Sequence, residues 1–121
     1  MIVLASKSPR RKEILKDLGY DFIVCPAKKD EVFDLSLGLD EALKKVAESK
    51  AKEVREFYSD SIIISADTIV CLDQKILGKP KSKEDAIKTL NALSNRRHQV
   101  KTGVCVIYKN QTFLHVETTD V

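Results

Sequence analysis

The chain has no tryptophan, and aromatic residues make up only 6% of it. Single-stranded nucleic acids are held by stacking bases on aromatic side chains along a basic track. This scarcity, with no clustered basic face, argues against a nucleic-acid module built on the turn Arg10-Arg11-Lys12. A strong excess of one charge is also missing: 21 Lys and Arg against 18 Asp and Glu leave a formal net charge of +3. That is too little to imply a polyanionic partner, so any anion site must be local. Cysteine is sparse, and Cys25, Cys71 and Cys105 are an odd number at wide spacing. They suit neither a disulfide framework nor the paired spacing of a zinc site and read as reduced core residues. No apolar run approaches the roughly 20 residues of a membrane span. Residues 1–6 pass straight into strand-like sequence with no charged leader or cleavage pattern. A cytoplasmic protein with no membrane partner is expected. Internal repeats, low-complexity tracts and linkers are absent as well.

What is present is the material of one domain. The 121 residues, 43% of them hydrophobic, suffice for a single core, so residues 1–121 are expected to form one domain. Residues 2–5 form a short apolar run. It ends at Ser6-Lys7-Ser8-Pro9, where Ser8 can cap a helix and Pro9 can take its first position. That helix places Arg11, Ile14, Leu15 and Leu18 on one face, and Gly19 can end it. Residues 20–24 are a second strand candidate. From 40 to 58 the pattern is strongly helical, with Leu43, Val46, Ala47, Ala51, Val54 and Phe57 in one stripe. Residues 61–66 read as a strand buried on both faces, and 69–72 continue extended beyond Asp67-Thr68. Ser82 opens a further helix with Ala86, Ile87, Leu90 and Leu93 on its buried face, stopping near Asn95. Residues 99–108 and 112–119, joined by Lys109-Asn110-Gln111, predict an antiparallel hairpin. The expected fold is α/β: a mixed central sheet flanked by helices and ending in that hairpin.

Three places break local rules. Pro9-Arg10-Arg11-Lys12 puts cations in the helical turn where the dipole favours anions. A phosphate would satisfy both the free N–H groups and the guanidinium groups, whereas a solvated basic turn paired to carboxylates elsewhere is the plain alternative. Lys50 falls inside the apolar stripe of the long helix. It either snorkels to water or carries its charge to an inward anion. Asp67 follows directly on a buried strand, where a carboxylate must be paired or bind a metal, or else serve as a turn residue. Glu31 and Lys79, the latter between Gly78 and Pro80, are weaker candidates taken alone. Together these positions are the equipment for metal-assisted attack on a phosphoanhydride.

The N-terminal Leu4-Ala5-Ser6-Lys7-Ser8-Pro9-Arg10-Arg11 closely resembles the LAS-x-SPRR signature of the Maf family of nucleotide pyrophosphatases. Other blocks of that family follow in order: Glu31 after an acidic neighbour, Lys50-Ala51-Lys52, Ser65-Ala66-Asp67-Thr68, and Gly78-Lys79-Pro80. The run from Leu93 to Val100 and Thr102-Gly103-Val104 complete the match, which extends along essentially the whole chain.

The resemblance implies hydrolysis of a nucleoside triphosphate to monophosphate and pyrophosphate with a divalent cation, Mg²⁺ or Mn²⁺. By position, Asp67 matches the family's proton acceptor and Glu31 a second acid near the metal. Lys50, Lys79, Arg10 and Arg11 match the groups that hold the triphosphate, and Ser8 adds a contact at the same helix end. Arg10 and Thr68 match positions tied to base discrimination, and the Ala-Asp-Thr form resembles the branch acting on dTTP and UTP. Modified nucleotides are a further substrate class that the family implies. Two departures stand out. Asn95 replaces a usual Gly, and beyond Thr119-Asp120-Val121 the family carries a further lobe that this sequence lacks, so the chain is expected to be an N-terminal portion. The competing function is therefore a non-catalytic nucleotide-binding or regulatory module. A homodimer is compatible with an exposed hairpin edge. An inosine triphosphate pyrophosphatase type would share the reaction but favour purines, and the SPRR block argues against it.

Overall fold

A computed structural model of the chain describes residues 1–28, 36, 38–72, 75–77, 83–84, 87–88 and 98–120. The elements are β1 (Ile2–Leu4), α1 (Pro9–Asp17), β2 (Phe22–Val24), α2 (Leu39–Arg55), β3 (Ile62–Leu72), β4 (Lys75–Leu77), β5 (Gln99–Tyr108) and β6 (Gln111–Asp120). Residues 83–84 and 87–88 are helical, within the helix expected from Ser82; the rest of that segment lies outside the described residues.

The strands form one mixed sheet in the order β2-β1-β3-β5-β6, with β4 also paired to β3. β1 is parallel to β2 and β3, whereas β3-β5, β5-β6 and β3-β4 are antiparallel. The α/β fold and the terminal hairpin are as expected. The hairpin turns through two residues, with Tyr108 paired to Gln111 and Lys109 in the left-handed region at φ 54°. One boundary differs. β3 runs unbroken through Asp67 and Thr68, because its partner β5 continues opposite them, pairing Asp67 with Gly103 and Thr68 with Thr102. Asp67 is thus a mid-strand residue and not a turn residue.

Local chemistry explains the helix ends. Ser8 caps α1 by accepting from Arg11 N, with Pro9 at the first position. At the other end Gly19 adopts φ +84°, Gly19 N donates to the Lys16 carbonyl and Tyr20 N to that of Leu15. This reciprocal pair is the Schellman closure, which a left-handed residue permits. α1 nevertheless buries no residue, and Ile14 and Leu18 are 49% and 65% exposed. Spacing determines which residues share a face, not what that face meets, and half-exposed Ile87 teaches the same lesson. After Arg55 the chain tightens, with Phe57 N bonding Val54 O and Tyr58 N bonding Arg55 O. Such i→i−3 turns leave the 100° register. Phe57 therefore points to solvent, and Tyr58 packs against the core in its place.

The core lies between α2 and one face of the sheet. Val3, Ala5, Ala47, Ala51, Val54, Ile63, Cys105 and Ile107 form one buried cluster, and Leu39, Leu43, Ile69 and Cys71 another. α2 approaches β5 closely: a Cβ on Gly103 would stand 2.7 Å from Leu43 Cγ and 3.1 Å from its carbonyl oxygen. Lys101, itself buried, ties the start of α2 to the hairpin through Asp40 Oδ1 at 2.8 Å and Thr118 Oγ1 at 3.0 Å.

All three cysteines are free, with Cys71 and Cys105 buried and Cys25 partly covered. Burial disfavours the thiolate and pushes the Cys105 thiol up from 9.0 to about 11, and it raises Cys71 too. In the unfolded chain that thiol ionises first, so stability is lost as pH rises from 9.0 toward about 11. Iodoacetamide at pH 8, read by peptide mass, is expected to label Cys25 and spare Cys71 and Cys105 until denaturant is added. Equal labelling of all three in the native protein would contradict this burial.

Candidate functional site

The connections around β1 define the place. From β1 the chain moves through α1 to β2 on one side, then returns through α2 to β3 on the other. A sheet whose connections diverge from neighbouring strands opens a crevice at their carboxyl ends, and that is where ligands gather in such folds. Here the crevice lies beyond β1 and along β3. β1 pairs with β3 at residues 62–64 and β4 pairs with it at 70–72, both on the edge opposite β5. Among the described residues, that edge of β3 is left open by other strands at 65–69, where Asp67 and Thr68 sit.

Successive strand residues point to opposite faces, so the two helices reach this gap from opposite sides. On one side α1 brings Arg11. Its Nη2 donates to Thr68 Oγ1 at 2.7 Å, and its Nη1 donates to Ser6 Oγ at 3.3 Å and to the Ala66 carbonyl at 3.4 Å. Ser6 Oγ also accepts from Ser8 N at 3.1 Å, and Thr68 Oγ1 shares a hydrogen bond with Thr102 Oγ1 at 3.0 Å. The guanidinium is held in place by three neutral oxygens, and it has no carboxylate partner among the described residues. Its charge is therefore oriented, and no described residue neutralises it. The first turn of α1 contains no acidic residue, and Arg10, beside it, is exposed with no hydrogen-bond or ion-pair partner among the described residues. Among the described residues, neither side chain pairs with a carboxylate.

On the other side α2 brings Lys50. Its Nζ lies 3.3 Å from Asp67 Oδ1, and the two side chains are only 19% and 13% exposed. Lys50 therefore does not snorkel to water: the inward angle read from the helical wheel delivers its charge to the strand. A pair this well covered carries a desolvation cost that the mutual attraction of its charges must offset. Ser65, fully buried two residues before Asp67 on the same face, donates its hydroxyl to the carbonyl of Ala47, three residues before Lys50.

Of the residues expected from sequence, the structure thus brings Ser8, Arg11, Thr68, Lys50 and Asp67 to one part of the sheet, and Arg10 is exposed beside Arg11 in the first turn of α1. Glu31 and Lys79 lie outside the described residues. Ser6, Ser65 and Thr102 belong to the same constellation and were not singled out by sequence reasoning. Ser6 and Ser65 did carry a signal, as polar residues set in apolar runs. Thr102 carried one only as the first residue of the block Thr102-Gly103-Val104, and the β3-β5 register places it opposite Thr68.

No group of three or more His, Cys, Asp or Glu side chains gathers among the described residues. Mg²⁺ commonly uses one or two carboxylates and completes its shell with substrate phosphates and water. Among the described residues one carboxylate, Asp67, stands at this strand edge with cations on both sides, and it suits that mode of binding.

The family profile described as Maf-like protein matches residues 1–121. The chain is similar to a curated protein of Halalkalibacterium halodurans named dTTP/UTP pyrophosphatase, 42% identical over 120 residues, which are 99% of this chain and 63% of that protein. A protein of the same name from Caldicellulosiruptor saccharolyticus is 46% identical over 110 residues, covering 88% of this chain and 55% of that one. The chain thus spans less than two thirds of the length of these curated relatives. Among solved structures it is similar to the Staphylococcus aureus Ham1 protein, with a TM-score of 0.64 at 20% identity over 98% of this chain and 69% of that one. Protein VC0702 from Vibrio cholerae gives a TM-score of 0.56 at 8% identity over 99% of this chain and 62% of that one. At those identities the two structures speak for the fold alone.

Proposed function

This chain belongs to the Maf family, and from that premise we propose that it hydrolyses nucleoside triphosphates, dTTP and UTP foremost, to the monophosphate and pyrophosphate. The observation that carries the reading is the Arg11 guanidinium, fixed at a helix N-terminus by Ser6, Ala66 and Thr68, with no carboxylate partner among the described residues. Around it, the side chain and backbone N–H of Arg10 in the first turn of α1 suit the phosphate oxygens, where fixed positive charge and a backbone donor meet the charge of the transferring group. Asp67 takes the proton of the attacking water as the new P–O bond forms at the α-phosphorus and the bridge to the β-phosphate breaks. Lys50, 3.3 Å from Asp67 Oδ1, orients that carboxylate until the substrate arrives, then shares its charge with the phosphates. Lys79 is assigned to the same grip.

Asp67 and Glu31 would hold a divalent cation, Mg²⁺ or Mn²⁺. When bound, such an ion offsets phosphate charge and makes a nearby water more acidic. Thr68 and Arg10, both exposed, are assigned to discrimination of the base. The printed names of the two relatives support dTTP and UTP as the first substrates to try.

The test is to incubate the purified chain with Mg²⁺ or Mn²⁺ and a panel of nucleoside triphosphates, and to separate monophosphate, pyrophosphate and orthophosphate. Pyrophosphate formed in step with dTMP or UMP is the expected result. Release of orthophosphate with the nucleoside diphosphate would overturn the site of cleavage. Binding without turnover would favour the nucleotide-binding module instead.

A further inference from the structure

We propose that Ser65 is a positioning residue that sets the depth and rotation of α2 on the sheet so that Lys50 meets Asp67; the inference rests on the reading of that pair as part of the reactive site. Ser65 is completely buried and spends its hydroxyl on a helix carbonyl, that of Ala47. An apolar side chain would ordinarily fill such a site, and a buried hydroxyl is kept only where it is hydrogen-bonded. The placement is specific. Ala47 and Lys50 are three residues apart on one face of α2, and Ser65 and Asp67 are two apart on one face of β3. A bond between the first member of each pair therefore fixes the second members against one another. The helix can come this close because Ala47 and Ala51 are small and fully buried, and because Gly103, directly across from Asp67, has no Cβ to strike Leu43. The Gly103 contact sets how near the helix lies, and the hydroxyl of Ser65 sets how it is turned.

A side chain that merely filled core volume would affect stability independently of Lys50. A positioning residue acts through Lys50, so its effect vanishes when Lys50 is gone. The experiment is a double-mutant cycle on pyrophosphate release with Ser65→Ala, Lys50→Ala and the double variant, with melting temperatures recorded beside the kinetics. Ser65→Ala is expected to lower kcat by roughly ten- to a hundredfold, the scale of a 1 Å misplacement at a reacting group. KM should change little, and the double variant should be no slower than Lys50→Ala alone. Full turnover in Ser65→Ala, or losses that multiply in the double variant, would overturn the positioning role while leaving the reactive pair intact. Unchanged turnover in Lys50→Ala would instead count against the proposed function. Should Ser65→Ala fail to fold, Ser65→Cys, close in volume and a weak donor, carries the same cycle. Carbodiimide coupling reads the geometry without turnover: it joins Lys50 to Asp67 as an amide, the carbodiimide taking up the water. Peptide mass should show the link in the wild type and its loss in the Ser65 variant, and equal coupling in both would overturn the proposal.

Discussion

Replacing Asp67 by Asn is expected to reduce nucleotide turnover by about 10²- to 10⁴-fold, the range supplied by a positioned proton acceptor. The substitution is nearly isosteric and leaves an amide oxygen able to accept from Lys50, so the covered gap in β3 should keep its shape. What it removes is the negative charge and the capacity to take a proton from water. Lys50 then stays partly buried opposite a neutral partner, which costs on the order of 1–3 kcal/mol of stability. A folded but slightly destabilised protein without activity is the outcome to look for, by thermal denaturation alongside the pyrophosphate assay. Turnover within a few-fold of wild type would remove Asp67 from the mechanism.

The second large effect is expected at Arg11. Arg11→Ala should lower kcat/KM by about 10²- to 10³-fold, as removal of one well-placed donor to a developing anion does. Arg11→Lys should recover little of it. The guanidinium meets oxygens of Ser6, Ala66 and Thr68 with donors fixed in one plane, whereas an ammonium is a compact point charge without that fork. In Arg11→Ala the Thr68 hydroxyl keeps Thr102 as a partner, so the strands should hold and the melting temperature should move little. Steady-state kinetics across a dTTP or UTP titration separates the cases. A variant with full kcat/KM would mean that the helix end and Arg10 suffice, and that Arg11 is a structural brace between α1 and β3.

Much of this arrangement is legible before folding, for local reasons. Ser8 followed by Pro9 starts a helix because an accepting hydroxyl and a preset φ favour that start over any other, and Gly19 stops it because it enters the left-handed region without penalty. Lys50 stands out because its position on a periodic apolar stripe is a matter of angle alone. Asp67 stands out because a charge at the end of a buried run must be answered by something. Other readings fail where the answer depends on a partner distant in sequence. Residues 61–72 look like two strands around a turn, yet they form one strand because β5 lies alongside Asp67 and Thr68. Phe57 fits the stripe and points to solvent, because tight turns after Arg55 end the helical register first.

By itself, then, the amino-acid sequence determined the α/β class, the ends of α1, the inward face of α2 and the identity of the ordered motif blocks. These are properties of single residues and of short periodic patterns, set by backbone preference and by the aversion of apolar side chains to water. The tertiary structure alone decided that Arg11 and Lys50 approach adjacent residues of β3 from opposite faces, that Ser6, Ala66 and Thr68 orient the arginine, and that Thr102 holds the Thr68 hydroxyl. It alone decided that Ser65 grips the helix that presents the lysine. The reason is geometric: each of these contacts joins groups that meet only once strand order and register are set, and no local preference encodes which face of a strand a distant helix will cover.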